Sequence, residues 1–151
     1  MSEPKTILLV EDNANDVALT LAALEETELA HEVVVVRDGQ QALDYLLRHG
    51  SYTGRAGPRP TVVLLDLKLP KVDGIEVLSR IKQDPGLRSL PVVMLTSSRE
   101  ERDLQRSYGL GVNAYVVKPV AFSEFVSTLK TLGFFWAVLN QPPPLEKACP
   151  I

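Results

Sequence analysis

Short apolar runs alternate with amphipathic segments along most of the chain, and this alternation constrains the fold more than any other feature. The apolar runs have the length and β-branched content of buried strands, and they occupy residues 6–10, 33–36, 62–65, 91–95 and 114–117. Between them, apolar residues recur at helical spacing. Five strand–helix units predict an α/β fold, a doubly wound five-stranded parallel sheet with helices on both faces.

Polar residues predict where two of the helices begin. Asp38 is followed three residues later by Gln41, and Ser98 by Glu101, and this is the spacing of a capping box. Pro85 ends the third helical stripe, because proline cannot continue a helix. We therefore expect side-chain caps at the second and fourth helices.

The carboxyl-terminal part of the chain has two different compositions. A last helical pattern runs from residue 121 to about residue 139, and the residues after it are rich in proline. We expect one domain over residues 5–139, with an extended final helix, and a Pro-rich tail over residues 140–151. A tail of this length and composition cannot bury a core of its own, so we expect no further folded module there.

Charge and hydropathy exclude several classes of partner. The net charge is -3 and the basic residues are scattered among acids, whereas nucleic-acid binding favours clustered Lys and Arg. No apolar run approaches membrane-spanning length, and the first residues lack the apolar core of a signal peptide. We expect no nucleic-acid partner, no membrane partner and a cytoplasmic location.

Polar side chains follow four of the apolar runs at the point where each run ends. Glu11 and Asp12 follow the first run and Asp66 follows the third. Thr96 and Lys118 follow the fourth and fifth. Because the carboxyl ends of parallel strands share one edge of a sheet, we expect these side chains to meet there.

The chemistry of these residues indicates phosphoryl transfer. Carboxylates gathered at one edge repel each other, and a hard divalent cation such as Mg²⁺ relieves the repulsion. Asp66 is a candidate nucleophile, since carboxylates form acyl phosphates in other proteins. Lys118 and Thr96 can supply an ammonium and a hydroxyl to phosphate oxygens. Each residue alone is more simply a turn former, a cap or a solvated charge, and the conjunction carries the prediction.

Several motifs match a known family. VEDN at 10–13, LLDLKLPKVDG at 64–74, LTSS at 95–98 and YVVKP at 115–119 resemble the receiver domains of two-component response regulators. The resemblance extends from residue 5 to about residue 132, in the same order and spacing. It implies a (βα)5 receiver with the flavodoxin-like strand order 2-1-3-4-5.

The resemblance also implies functional roles. Asp66 would accept a phosphoryl group from a sensor histidine kinase, and Lys118 and Thr96 would contact that group. Thr96 and Tyr115 would act as switch residues. The implied ligands of Mg²⁺ are Glu11, Asp12, Asp66 and the backbone carbonyl of Lys68. Such a protein is not an enzyme beyond its own phosphotransfer and dephosphorylation.

A narrower resemblance concerns the kinase. DGQQALDYL at 38–46, the loop at 50–60, TSSREERD at 96–103 and LGFFWAVLNQPP at 132–143 are similar to the small response regulators of bacterial and cyanobacterial phytochromes. The resemblance implies a phytochrome-type kinase as partner. Related single-domain regulators serve other kinases.

The final helix carries more apolar surface than the core of one domain needs. Phe134 and Val138 fall opposite the predicted core stripe, and Phe135 widens that stripe. This surplus predicts a homodimer through these residues, which the family resemblance supports. The alternative is that the tail folds back over the aromatic residues.

Three other functions compete with phosphoryl acceptance. A phosphatase of the haloacid dehalogenase type needs a second carboxylate two residues after the nucleophile, where this chain has Lys68. A flavin-binding module needs a phosphate-binding loop after the first strand, and Glu11 with Asp12 would repel that phosphate. A receiver that binds its partner without phosphorylation would not need the complete set of residues around Asp66.

Overall fold

A computed structural model describes residues 6–27, 32–55, 59–118 and 122–134. Within these ranges lie β1 (Thr6–Val10), β2 (Glu32–Val36), β3 (Val62–Leu65), β4 (Val92–Thr96) and β5 (Ala114–Val117). All pairings are parallel, and the strand order is β2-β1-β3-β4-β5. The predicted parallel sheet and its flavodoxin-like order are confirmed.

Helices connect the strands, as the helical spacing predicts. They are α1 (Ala14–Thr27), α2 (Gly39–Leu47), α3 (Gly74–Gln83), α4 (Glu101–Gly109) and α5 (Phe122–Phe134), with a short 3-10 helix at Gly50–Tyr52. The predicted extension of the final helix to residue 139 and the tail over residues 140–151 lie outside the described residues.

The sheet is buried on both faces. Leu8 and Val10 belong to an apolar cluster that includes residues of α2 and α3. Ile7 and Leu9, which alternate with them, belong to a second cluster with residues of α1 and α5. Alternate side chains of a strand point to opposite faces, so this partition shows that the fold is doubly wound. The site therefore lies at the edge of a sheet that helices cover on both faces.

Side chains cap the second helix only partly as predicted. The Oδ1 of Asp38 accepts a hydrogen bond from the backbone N–H of Gln41 at 2.8 Å. The Oε1 of Gln41 accepts from the N–H of Arg37 at 2.9 Å, one residue before the cap. The cap is confirmed, and the returning bond of a capping box goes to the neighbouring residue.

The capping box predicted for the fourth helix is wrong. Helix α4 starts after Glu100, which makes no capping hydrogen bond with its side chain. The Ser98 hydroxyl instead donates to Oδ2 of Asp103 at 2.6 Å. Strand β4 also starts one residue later than predicted, at Val92, because Pro91 has no N–H to offer a neighbouring strand.

The loop between β3 and α3 passes very close to the first residues of α2 and α3, which are both glycines. A Cβ atom at Gly74 would lie 2.1 Å from the carbonyl oxygen of Asp66, and one at Gly39 would lie 1.7 Å from the carbonyl oxygen of Val72. No larger residue fits these positions without moving the loop backbone. The two glycines therefore let the loop that follows β3 close tightly, with Asp66 at its start.

We expect Gly74→Ala to lower the free energy of unfolding by about 1–3 kcal/mol, because the methyl group forces the Asp66 and Leu67 carbonyls apart. Urea unfolding measures the change. Gly109→Ala is the matched control, since nothing lies within 4 Å of the Cβ it would add. Equal losses in both variants would contradict the tight closure of the loop.

Candidate functional site

The site lies where the order of the strands changes direction. Strand β1 pairs with β2 on one side and with β3 on the other. The connections that leave the carboxyl ends of β1 and β3 therefore run in opposite directions, and a crevice opens between them. The N–H of Glu11 donates to the carbonyl of Val36 at 3.0 Å, and the N–H of Asp66 donates to the carbonyl of Val10 at 3.1 Å. These bonds extend the ladders by one residue and set the two acids side by side.

Three carboxylates meet in this crevice. Glu11, Asp12 and Asp66 each place a carboxylate oxygen within 4.8 Å of the others. Glu11 is buried, Asp66 is partly buried and Asp12 is exposed. The predicted convergence of the acids that follow β1 and β3 is therefore confirmed by the geometry.

Lys118, which follows β5, brings its ammonium into the same cluster. Its Nζ lies 2.5 Å from Oε1 of Glu11 and 3.5 Å from Oδ2 of Asp66. It also lies 2.9 Å from Oδ2 of Asp16, in the first turn of α1. Only 11% of the Lys118 side chain is exposed. Its positive charge is therefore stabilised mainly by the neighbouring carboxylates and only slightly by water.

Asp16 is a member of the site that the sequence pattern did not reveal. It follows no strand, and its pairing partner is far away in the sequence. The one available signal was its position in the first helical turn after the acidic pair, which places it at the same edge of the sheet.

Burial and like charge perturb the acids and the lysine. Burial, with a smaller contribution from the charge of Asp66, raises the pKa of Glu11 to about 7, against the opposing effect of Lys118. Burial alone would lower the pKa of Lys118, but its hydrogen bonds to Glu11 and Asp16, together with the negative charges of Asp66 and Glu11, outweigh burial and raise it. The ammonium is therefore held in its charged form.

The donor atoms of the cluster fit a hard divalent cation. They are all carboxylate oxygens, with no histidine or cysteine ligand, and oxygen-only sets favour ions such as Mg²⁺ or Mn²⁺ over zinc. A cation would also relieve the repulsion between Glu11 and Asp66, which adds to the effect of burial on the pKa of Glu11.

Lys68 lies beside the acids without pairing with Glu11. Its side chain is exposed, and it lines an open cavity of about 430 Å³ together with Asp12 and Arg106. Among the described ion pairs, Glu11 is bound by Lys118. The exposed side chain of Lys68 therefore does not take part in neutralising Glu11.

Thr96 and Tyr115 are joined through Ser98. Thr96 is buried at the end of β4, and its Oγ1 accepts from the N–H of Ser98 at 3.3 Å. The hydroxyl of Tyr115 donates to the carbonyl of Ser98 at 3.0 Å, and Ser98 in turn binds Asp103 of α4. Ser98, which the sequence offered only as a cap, thus links both predicted switch residues to α4.

The predicted dimer residues lie at or beyond the end of the described chain. Phe135 and Val138 are outside the described residues, and so is the side chain of Phe134. Their assignment stays a prediction.

Comparison with known proteins decides the family. The family model of the response regulator receiver domain matches residues 7–130 of this chain. The chain belongs to the response regulator receiver domain family. Members of this family are signalling proteins, and the parallel sheet with its acidic edge is the receiver fold.

Two curated relatives align with nearly the full receiver. The probable methanogenesis regulatory protein FilR2 of Methanothrix harundinacea is 45% identical over 141 residues, covering 93% of this chain and 89% of the relative. The response regulator Rcp1 of Synechocystis is 43% identical over 133 residues, covering 88% of this chain and 89% of the relative.

Solved structures of receivers superpose well. The bacteriophytochrome response regulator AtBRR is 64% identical, with a TM-score of 0.76 over 93% of this chain and 100% of its own. The phosphorylated cyanobacterial phytochrome response regulator RcpA is 44% identical, with a TM-score of 0.86 over 93% of this chain and 99% of its own. A Mn(2+)-bound form of Rcp1 is 41% identical, with a TM-score of 0.84 over 93% and 99%.

The described part of this receiver contains no helix with both the length and the apolar character needed to cross a bilayer.

Proposed function

We propose that this receiver accepts a phosphoryl group on Asp66 from a sensor histidine kinase. The observation that carries the proposal is the position of the Asp66 carboxylate, which lies beside the acidic pair that follows β1 and 3.5 Å from the ammonium of Lys118. The Asp66 side chain is 13% exposed, so a donor can reach it from solvent.

The backbone orients the nucleophile. The Oδ1 of Asp66 accepts from the N–H of Leu67 at 2.7 Å, while Oδ2 faces Lys118 at 3.5 Å. In the reaction, an Asp66 oxygen bonds to phosphorus as the bond from phosphorus to the donor's imidazole nitrogen breaks. The electron pair of that bond leaves with the imidazole, which takes up a proton from solvent.

Mg²⁺ is the cation we assign to the cluster. Its ligands would be Glu11, Asp12, Asp66 and the backbone carbonyl of Lys68, and all of these are hard oxygen donors. When bound, the ion neutralises charge on the phosphoryl group and orients it. Support comes from the acidic cluster of this chain and from a relative with bound Mn²⁺.

Lys118 and Thr96 contact the phosphoryl group in this proposal. The ammonium acts as a point charge near one phosphate oxygen, and the Thr96 hydroxyl donates to another. In the structure the Thr96 hydroxyl oxygen accepts a hydrogen bond from the N–H of Ser98. If the hydroxyl turned toward the phosphate, this hydrogen bond would break. Because Ser98 also binds Tyr115 and Asp103, this exchange would reach α4. The signal would then leave by protein contact or onward phosphotransfer.

The proposed donor is a phytochrome-type kinase. The relatives named as phytochrome or bacteriophytochrome response regulators support this choice, with identities up to 64%. The relative named as a methanogenesis regulator is as similar as Rcp1, so kinases of other classes are the alternative.

The phosphoryl group can be weighed directly. Incubation with Mg²⁺ and acetyl phosphate is expected to add one phosphoryl group that hydroxylamine removes, and chelation of the metal should prevent the addition. Asp66→Asn should abolish it, since an amide is not a nucleophile of this kind. Asp73→Asn is the matched control, because Asp73 caps α3 through Oδ1 and asparagine caps equally well.

Two outcomes would contradict this prediction: an adduct that survives in Asp66→Asn, or continuous hydrolysis of acetyl phosphate without a trapped adduct, which indicates a phosphatase. Replacing acetyl phosphate by purified autophosphorylated kinases tests the donor. Faster transfer from kinases of another class than from phytochrome-type kinases would refute the proposed partner.

We also propose a homodimer through Phe134, Phe135 and Val138. The support is the surplus of apolar residues in the sequence of the final helix. Among the described residues, α4 offers a rival surface, since Leu104 is 39% and Tyr108 is 52% exposed.

The two surfaces can be separated by sedimentation. Phe134→Asp with Val138→Asp is expected to yield a monomer, because buried carboxylates would face each other across the interface. Leu104→Asp is the control and is expected to remain dimeric. A monomer in the control and a dimer in the double variant would move the interface to α4.

A further inference from the structure

The ammonium of Lys118 has a partner outside the acidic cluster. Its Nζ lies 2.9 Å from Oδ2 of Asp16, closer than its 3.5 Å to Oδ2 of Asp66. Asp16 does not belong to the group of carboxylates that could share a metal ion, which comprises Glu11, Asp12 and Asp66. Three acids bind Lys118, and Asp16 is the one among them that a cation bound in the cluster would not contact.

Helix α1 fixes Asp16 in this position. The Oδ1 of Asn13 accepts from the N–H of Asp16 at 3.0 Å, which caps the first turn. One residue later, Val17 is buried, and its N–H donates to the carbonyl of Asn13 at 2.9 Å. The carboxylate therefore projects from an anchored turn and needs little further ordering to hold the ammonium.

A bound cation and a phosphoryl group would change the partners of Lys118. A cation bound by Glu11 and Asp66 would compete with the ammonium for their oxygens, so those two contacts of Lys118 would weaken during phosphoryl transfer. A lysine side chain has considerable freedom unless something holds it. Asp16 would keep its contact with Lys118, since it does not belong to the group of carboxylates that could bind the cation.

We propose that Asp16 is a positioning residue, which holds the Lys118 ammonium beside Asp66 while the phosphoryl group is transferred. The inference rests on the proposed function of Asp66. A simpler role is that Asp16 stabilises α1 through the positive amino-terminal end of the helix dipole. That role does not depend on Lys118, so the two roles make different predictions.

The first test separates metal binding from transfer. Asp16→Asn keeps the shape and the helix start but loses the charge. At saturating Mg²⁺ we expect phosphorylation by acetyl phosphate to slow by about threefold to tenfold. The dissociation constant of Mg²⁺, measured by calorimetry, should change by less than about twofold because Asp16 is not a ligand. Glu25→Gln, an exposed acid of the same helix, is the control and should match the wild-type protein in both measurements.

The second test is a double-variant cycle with Lys118→Met, read by urea unfolding of the metal-free protein. We expect Asp16→Asn to lower the unfolding midpoint in the wild-type background and to have a smaller effect, or none, in the Lys118→Met background. If the unfolding midpoint fell equally in both backgrounds, Asp16 would act only by stabilising the helix, and the proposal would be overturned.

The phosphorylation rates of Asp16→Asn and of the wild-type protein also test the proposal. Unchanged phosphorylation in Asp16→Asn would overturn the proposal, and faster phosphorylation would show that Asp16 withholds the ammonium instead of presenting it. Failure of the wild-type protein to be phosphorylated at Asp66 would refute the proposed function itself, and is thus distinct from a failure of Asp16.

Discussion

The repulsion between carboxylates at one edge of the sheet is the constraint on which the site depends. Glu11, Asp12 and Asp66 lie within 4.8 Å of one another, and burial raises the pKa of Glu11 to about 7. The Lys118 ammonium offsets this repulsion in the structure, and a hard cation would offset it more fully. The same excess of negative charge that costs stability makes the site attractive to a cation and, through it, to a phosphoryl group.

The fold holds these charges together by backbone contacts. Ladder hydrogen bonds reach one residue past β1 and β3, to Glu11 and Asp66, and Gly39 and Gly74 allow the following loop to close. On the other side of the crevice, Ser98 ties Thr96 and Tyr115 to α4 through three hydrogen bonds. The site and the surface of α4 thus share a small number of polar contacts.

Features set by local pattern could be predicted from the sequence. The apolar runs located β1, β3 and β5 to the residue, because strands buried on both faces leave a continuous apolar signal. The parallel arrangement then brought Glu11, Asp66 and Lys118 to one edge.

Features that depend on competition between partners could not be predicted. Ser98 has the spacing of a helix cap, yet its hydroxyl binds Asp103, since a serine hydroxyl takes whichever acceptor the loop presents. The pairing of Asp16 with Lys118 depends on how α1 is laid against the sheet, which no local spacing encodes.

The most direct test of the phosphoryl-accepting site is a crystal structure of the protein with Mg²⁺ and beryllofluoride, which mimics a phosphoryl group. We predict beryllium bonded to the Asp66 carboxylate, Mg²⁺ bound by the acids that follow β1 and β3, and the Lys118 ammonium in contact with a fluoride. An ion bound elsewhere, or a Lys118 side chain turned away from Asp66, would contradict the central claim that these charges form one phosphoryl-accepting site.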